Sequence, residues 1–113
     1  MHHPTAIIAP TAQLAPDVQV GPYAVIDAHV TLGPGCVVGP HAHLTGHTSI
    51  GARNRFHAGC VIGDAPQDLK YRDEPTRLVI GDDNVFREHV TVHRSNKLAE
   101  DTVIGSHNFL MAN

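Results

Sequence analysis

Every sixth residue from Ile8 to Ile62 is apolar (Ile8, Leu14, Val20, Ile26, Leu32, Val38, Leu44, Ile50, Phe56, Ile62), and the phase resumes at Ile80, Phe86, Val92, Leu98, Ile104 and Leu110. A period of six fits neither the ~3.6 of a helix nor the ~2 of a plain strand, so the chain is read as a repeat architecture. Four residues after each apolar position comes a second, usually small one: Ala12, Val18, Ala24, Val30, Cys36, Ala42, Thr48 and Cys60. Strand side chains alternate faces, so the small residue and the apolar residue two further on point the same way. The other residues face solvent or turn a corner. Gly21-Pro22, Gly33-Pro34, Gly39-Pro40 and Gly51-Ala52 follow apolar positions and mark those corners. Three short strands per turn make a triangular parallel β-helix of about six coils, with about eighteen residues per coil.

Composition agrees with a single domain over residues 1–113. With 42% apolar residues but only five aromatics among 113, the core has to be built from small and branched side chains stacked in rows. A net charge of −3 without a basic stripe argues against nucleic-acid binding. Met1-His2-His3-Pro4 has no basic leader region, and no apolar run reaches membrane-spanning length. A cytoplasmic enzyme is the default reading. Cys36 and Cys60 both fall at the small inward position and are expected to be reduced core thiols on different walls. Asn54, Asn84, Asn96 and Asn108 also fall at that position, where inward amides can satisfy backbone groups at the corners.

Ten histidines raise the question of a metal. Zinc needs three or four convergent ligands, and the sequence offers no tight spacing of that kind. The His41-x-His43 spacing could bring two imidazoles to one strand face, and His29, His47 and His107 occupy outward positions; all are read as solvated rather than as ligands. His57 and His89 are candidates for subunit contacts. No metal and no cofactor is expected.

The repeat breaks between Gly63 and Val79. Six of the chain's nineteen Asp, Glu, Lys and Arg residues lie between Asp68 and Arg77, beside Tyr71, Pro66 and Pro75. That composition reads as a loop thrown out of the coil near 64–78, and a long loop on a rigid scaffold is where binding groups tend to sit.

The repeated pattern of an aliphatic residue, Gly, two variable residues, a small residue and one more resembles the hexapeptide repeat of left-handed β-helix acyltransferases. The loop narrows the resemblance. Gln67-Asp68-Leu69-Lys70-Tyr71, Glu74-Pro75-Thr76-Arg77, Ile80-Gly81-Asp82, Arg87-Glu88 and Val90-Thr91-Val92-His93-Arg94 resemble the UDP-N-acetylglucosamine acyltransferases of lipid A synthesis, as do Gly46-His47-Thr48 and Asn108-Phe109-Leu110-Met111-Ala112-Asn113. The resemblance implies a left-handed coil, where ordinary parallel crossovers are right-handed. It also implies a homotrimer with sites between neighbouring prisms. Its reaction moves a 3-hydroxyacyl chain from acyl carrier protein to the sugar 3-hydroxyl of UDP-N-acetylglucosamine.

By that resemblance Asp68 would hydrogen-bond the sugar near its acceptor hydroxyl. Lys70 would reach a phosphate or the acyl donor, Gln67 would be a weaker neighbour, and His93 would contact the nucleotide sugar. The residue types suit those roles, since a carboxylate orients a hydroxyl and an ammonium offsets diphosphate charge. The family's general-base His is expected beyond Asn113, so no catalytic residue is assigned here. The reading is therefore of a piece of a longer protein, cut before further coils and a helical C-terminal domain, and inactive by itself. The stretch Ser95 to Thr102 is polar and glycine-free where the family carries a glycine-rich second loop. Leu98 keeps the six-residue phase, so that stretch is expected to run as an ordinary coil. Two other readings stand beside this one: a related hexapeptide N-acyltransferase of nucleotide sugars, and a noncatalytic trimeric β-helix scaffold.

Overall fold

The computed structural model describes residues 1–113 as fifteen short strands, β1 to β15 in chain order, with every third strand on the same face. Three five-stranded parallel sheets result, one per wall of a triangular prism. One wall starts with β1 (Ile7–Ile8) and includes β7 (His43–Leu44), β10 (Val61–Asp64) and β13 (Thr91–His93). The next starts with β2 (Gln13–Leu14) and includes β8 (His47–Ile50), β11 (Arg77–Ile80) and β14 (Thr102–Ile104). The third starts with β3 (Gln19–Val20) and ends with β15 (Phe109–Leu110). This is a left-handed parallel β-helix.

The register shows why the period of six produces it. Ile8, Ile26, Leu44, Ile62 and Val92 pair in succession up one wall. Leu14, Leu32, Ile50, Ile80 and Ile104 do so up the second, and Val20, Val38, Phe56, Phe86 and Leu110 up the third. Each apolar residue thus stacks on its equivalents above and below, and the rows close one continuous core. Phe56 and Phe86 lie stacked with ring centroids 4.7 Å apart. Fully burying a side chain of this size is worth roughly 1.5–3 kcal/mol. The small position fills the corners, with Val18, Ala24, Cys36, Ala42 and Cys60 all buried. Both cysteines are free thiols, and their sulfurs donate to the carbonyls of Gly51 and Arg87.

The corners are tighter than the Gly-Pro pairs suggest. At several corners the residue just before the small position takes a left-handed conformation without being glycine. Tyr23, His41, Arg53, Asp83, His89 and His107 all have φ between 56° and 62°. Successive corners hold one another: the N–H of His41 donates to the carbonyl of Pro22, and that of Gly59 to Pro40. Three asparagines join one such corner into a ladder. Asn54 Oδ1 accepts from the Asn84 N–H at 3.0 Å, and Asn84 Oδ1 from the Asn108 N–H at 2.8 Å. The amide groups of Asn54 and Asn84 donate to the carbonyls of Gly81 and Gly105. Asn96, expected to belong to this set, is exposed and points elsewhere.

Five coils form rather than six, and two excursions account for the difference. Ile62 pairs with Leu44 across eighteen residues but with Val92 across thirty, because residues 65–76 leave the prism between β10 and β11. A second, shorter excursion leaves between β13 and β14. Leu98 lies within it and is 64% exposed, so residues 95–100 are not an ordinary coil. The insertion preserves the six-residue phase, which hides it from a pattern search. No helix of the structure is long and apolar enough to cross a membrane.

Candidate functional site

Both excursions leave the same edge of the prism on successive coils, so the second lies against the first. Gly63 opens the way out. It sits in a register irregularity between β10 and β13 with φ of 89°, where a Cβ would collide with the Thr45 carbonyl and the Thr48 hydroxyl.

Arg94 anchors the base of the first excursion from beneath. Its side chain is 12% exposed. Nη1 donates to the Gly63 carbonyl at 2.9 Å and Nε to the Tyr71 hydroxyl at 2.9 Å, while Nη2 reaches Asp73 at 3.4 Å. The guanidinium carbon also lies 5.5 Å from the centroid of the Tyr71 ring. Tyr71 in turn donates its hydroxyl to the Glu74 carbonyl. A planar fork spreads its donors far enough apart to serve a carbonyl, a phenol and a carboxylate together, whereas an ammonium carries its three donors on one atom. Replacing Arg94 with Ala leaves the Gly63 carbonyl and the Tyr71 oxygen without this donor, at about 1.5–3 kcal/mol per bond to a charged group. The expected result is fast amide exchange across 65–76 with the coil protections retained, and only partial recovery in Arg94→Lys. Unchanged exchange in Arg94→Ala would remove it as the anchor.

The tip carries the residues singled out from the sequence. Gln67 and Lys70 are exposed and Asp68 is half-buried. Asp68 Oδ1 accepts the Lys70 N–H at 2.9 Å, and Oδ2 accepts Nδ2 of Asn96 at 2.8 Å. Those two donors, the backbone one foremost, hold the Asp68 carboxyl below the usual carboxylate range. Lys70 forms no ion pair, so its ammonium is free to meet an anion. Leu69 stands between them, 98% exposed. His93 ends β13 at the foot of the second excursion, paired in register with Asp64. No hydrogen bond joins it to Gln67, Asp68 or Lys70. The fold therefore sets Asp68 and Lys70 on the same tip, joined through the Lys70 backbone N–H, and His93 at the root. The sequence marks Asn96 only as an inward corner amide, and Arg94 and Tyr71 only as members of motifs, none of them as a site residue. A polar, glycine-free segment beside the loop was the signal for Asn96.

Below the excursions, the same edge carries His29 and His47. Their rings stack 4.2 Å apart at 10°. Burial, then the positive charges of His29, Arg94 and Arg77, push the His47 imidazole below its ordinary pKa. In the unfolded chain a His titrates near ~6.5. As pH falls through that value the unfolded state takes up the proton more readily than the folded one, so folding stability declines on acidification. His47→Gln is expected to flatten the fall of melting temperature between about pH 7 and 5; an unaltered slope would exclude His47 as its source. No three His, Cys, Asp or Glu side chains converge as a metal site would require.

Residues 29–64 match the family model for the bacterial transferase hexapeptide (six repeats). Over 111 residues the chain is 51% identical to the acyl-(acyl-carrier-protein)–UDP-N-acetylglucosamine O-acyltransferase of Syntrophobacter fumaroxidans, covering 97% of this chain and 43% of that protein. It is 56% identical over 110 residues to the enzyme of the same name from Stutzerimonas stutzeri, covering 96% and 43%. The solved structure of UDP-N-acetylglucosamine O-acyltransferase from Moraxella catarrhalis superposes with a TM-score of 0.95 at 39% identity, covering 99% of this chain and 44% of that one. The chain thus spans less than half the length of the relatives it matches.

Proposed function

The chain belongs to the family of acyl-(acyl-carrier-protein)–UDP-N-acetylglucosamine O-acyltransferases, and we propose that the whole protein transfers a 3-hydroxyacyl chain from acyl carrier protein to the 3-hydroxyl of UDP-N-acetylglucosamine, opening lipid A synthesis. In this reading residues 1–113 are one β-helix domain of a longer, cytoplasmic protein, which works as a homotrimer with its sites between neighbouring prisms.

The observation that carries the reading is the excursion tip, where the Asp68 carboxylate accepts the Lys70 backbone N–H and the Lys70 ammonium, two residues along, makes no ion pair. Asp68 accepts a hydrogen bond from a sugar hydroxyl and so orients the acceptor. Lys70 offsets charge on the diphosphate or polarises the acyl donor. Gln67 adds a polar contact at the tip, and His93 meets the nucleotide sugar from the root. The sugar oxygen then attacks the thioester carbonyl and its proton passes to a general base. The tetrahedral intermediate collapses to the ester, and the carrier leaves as a thiol once protonated. That base is an imidazole supplied from outside residues 1–113. Orientation of this kind lowers the barrier because the two reactants no longer have to find one another in solution.

Incubating the whole protein with UDP-N-acetylglucosamine and 3-hydroxyacyl carrier protein tests the proposal. The expected products, read by mass spectrometry, are a base-labile ester on the sugar and free carrier thiol. An alkali-stable amide, formed on an amino-sugar acceptor alone, would instead assign N-acylation. No transfer to either acceptor would leave the scaffold reading.

A further inference from the structure

The first excursion is held to the rest of the chain at two levels. Its base is fixed by Arg94, as described above, but that clamp ends at Tyr71 and Asp73. From residue 65 to residue 70 the hydrogen bonds are local. Ala65 donates to the Asp64 side chain, Asp68 to the Pro66 carbonyl, and Lys70 to the Asp68 side chain. The one bond that reaches residues 66–70 from outside the excursion is the 2.8 Å contact from Asn96 Nδ2 to Asp68 Oδ2. Asn96 rides on a turn that closes on itself. Ser95 Oγ accepts from the Lys97 N–H and donates to the Lys97 carbonyl, and the Glu100 N–H returns to that same carbonyl. The turn therefore presents the Asn96 amide without needing the tip in order to form.

We propose that Asn96 is a positioning residue: its amide holds the Asp68 carboxylate, and with it residues 66–70, in the orientation that receives the acceptor hydroxyl, an inference that rests on the functional reading above. A carboxylate offers about four lone-pair directions. The Lys70 N–H and the Asn96 amide occupy one on each oxygen, so one remains open on each for a ligand donor. Because both occupied directions are met by donors, the group stays ionised and acts as an acceptor only, selecting a ligand that brings a hydroxyl or N–H. The second excursion, which keeps the six-residue phase of a coil in the sequence, thereby becomes part of the sugar site.

The test compares the wild-type protein with Asn96→Ala, Asn96→Asp and Asn96→Gln. Three readouts are used: the carboxyl carbon titration of Asp68 by NMR, the backbone relaxation of residues 66–70, and the affinity for UDP-N-acetylglucosamine. Asn96 is exposed, so all three variants are expected to fold. In Asn96→Ala the Asp68 titration moves up toward the ordinary carboxylate range, residues 66–70 gain mobility, and affinity falls roughly tenfold, the scale of one lost hydrogen bond to a charged group. Asn96→Asp is worse at neutral pH because it sets like charges together, and Asn96→Gln restores part of the affinity. An unchanged Asp68 titration in Asn96→Ala would overturn the inference. So would a moved titration with unchanged affinity, because Asn96 would then touch the carboxylate without positioning it for ligand. Failure of the wild-type protein to bind the nucleotide sugar would instead sink the functional reading, and the titration and relaxation would still decide whether Asn96 holds the tip.

Discussion

Replacing Ile50 with Asp is expected to abolish the cooperative melt, while Ser49→Asp on the same strand melts within a few degrees of the parent. Ile50 is 2% exposed at the centre of its row, between Leu32 below and Ile80 above. Truncating such a side chain typically costs about 2–5 kcal/mol. A carboxyl placed there finds no partner, which adds several kcal/mol more whether it stays charged or takes a proton. A domain's whole stability is about 5–15 kcal/mol. Ser49 is exposed on β8, one residue away, and a surface change usually stays within about 0.5 kcal/mol. Circular dichroism with thermal melting separates the two. A native melt for Ile50→Asp would mean that the rows are not the core.

Asp68→Ala and Lys70→Ala are the counterpart for function. Each removes a charge at the excursion tip without touching the core, so melting should be unchanged. A hydrogen bond to a charged group is worth about 1.5–3 kcal/mol, so each variant should lose about ten- to a hundredfold in kcat/KM for transfer by the whole protein. Lys70→Arg keeps the charge and tests whether charge alone suffices; a compact ammonium and a planar fork do not place it alike. If Asp68 fixes the acceptor, the loss in Asp68→Ala follows the sugar nucleotide and not the acyl carrier. Near-parental rates in both alanine variants would take the excursion out of the mechanism.

The period of six was enough to read the walls of the prism, because each inward residue must meet its own kind one coil away. Ile8 to Ile62 pair as the spacing implies. The same logic explains where pattern reading stops. Leu98 holds the phase yet lies outside the prism, since an insertion of one repeat length leaves no trace in a periodic signal. Asn96 shares its position in the count with Asn54 and Asn84 but not their role. Those two sit inside a corner with carbonyls to satisfy, whereas Asn96 is carried outward to Asp68. Gly21-Pro22, Gly39-Pro40 and Gly51-Ala52 mark the corners, but the residues that turn left-handed there are Tyr23, His41 and Arg53, which are not glycines and so give no sign of it. Arg94 was legible only as part of a motif, because its bonds to Gly63 and Tyr71 span more than twenty residues and depend on both excursions leaving one edge.

Titrating UDP-N-acetylglucosamine into isotope-labelled protein asks whether the edge that carries the two excursions receives it, as proposed. Amide shift changes are expected to gather at Gln67, Asp68, Lys70 and His93 and to extend to Asn96, with the wall ending in Phe109 silent. Saturating changes gathered at a different edge, or none at any concentration of the nucleotide sugar, would contradict the proposal.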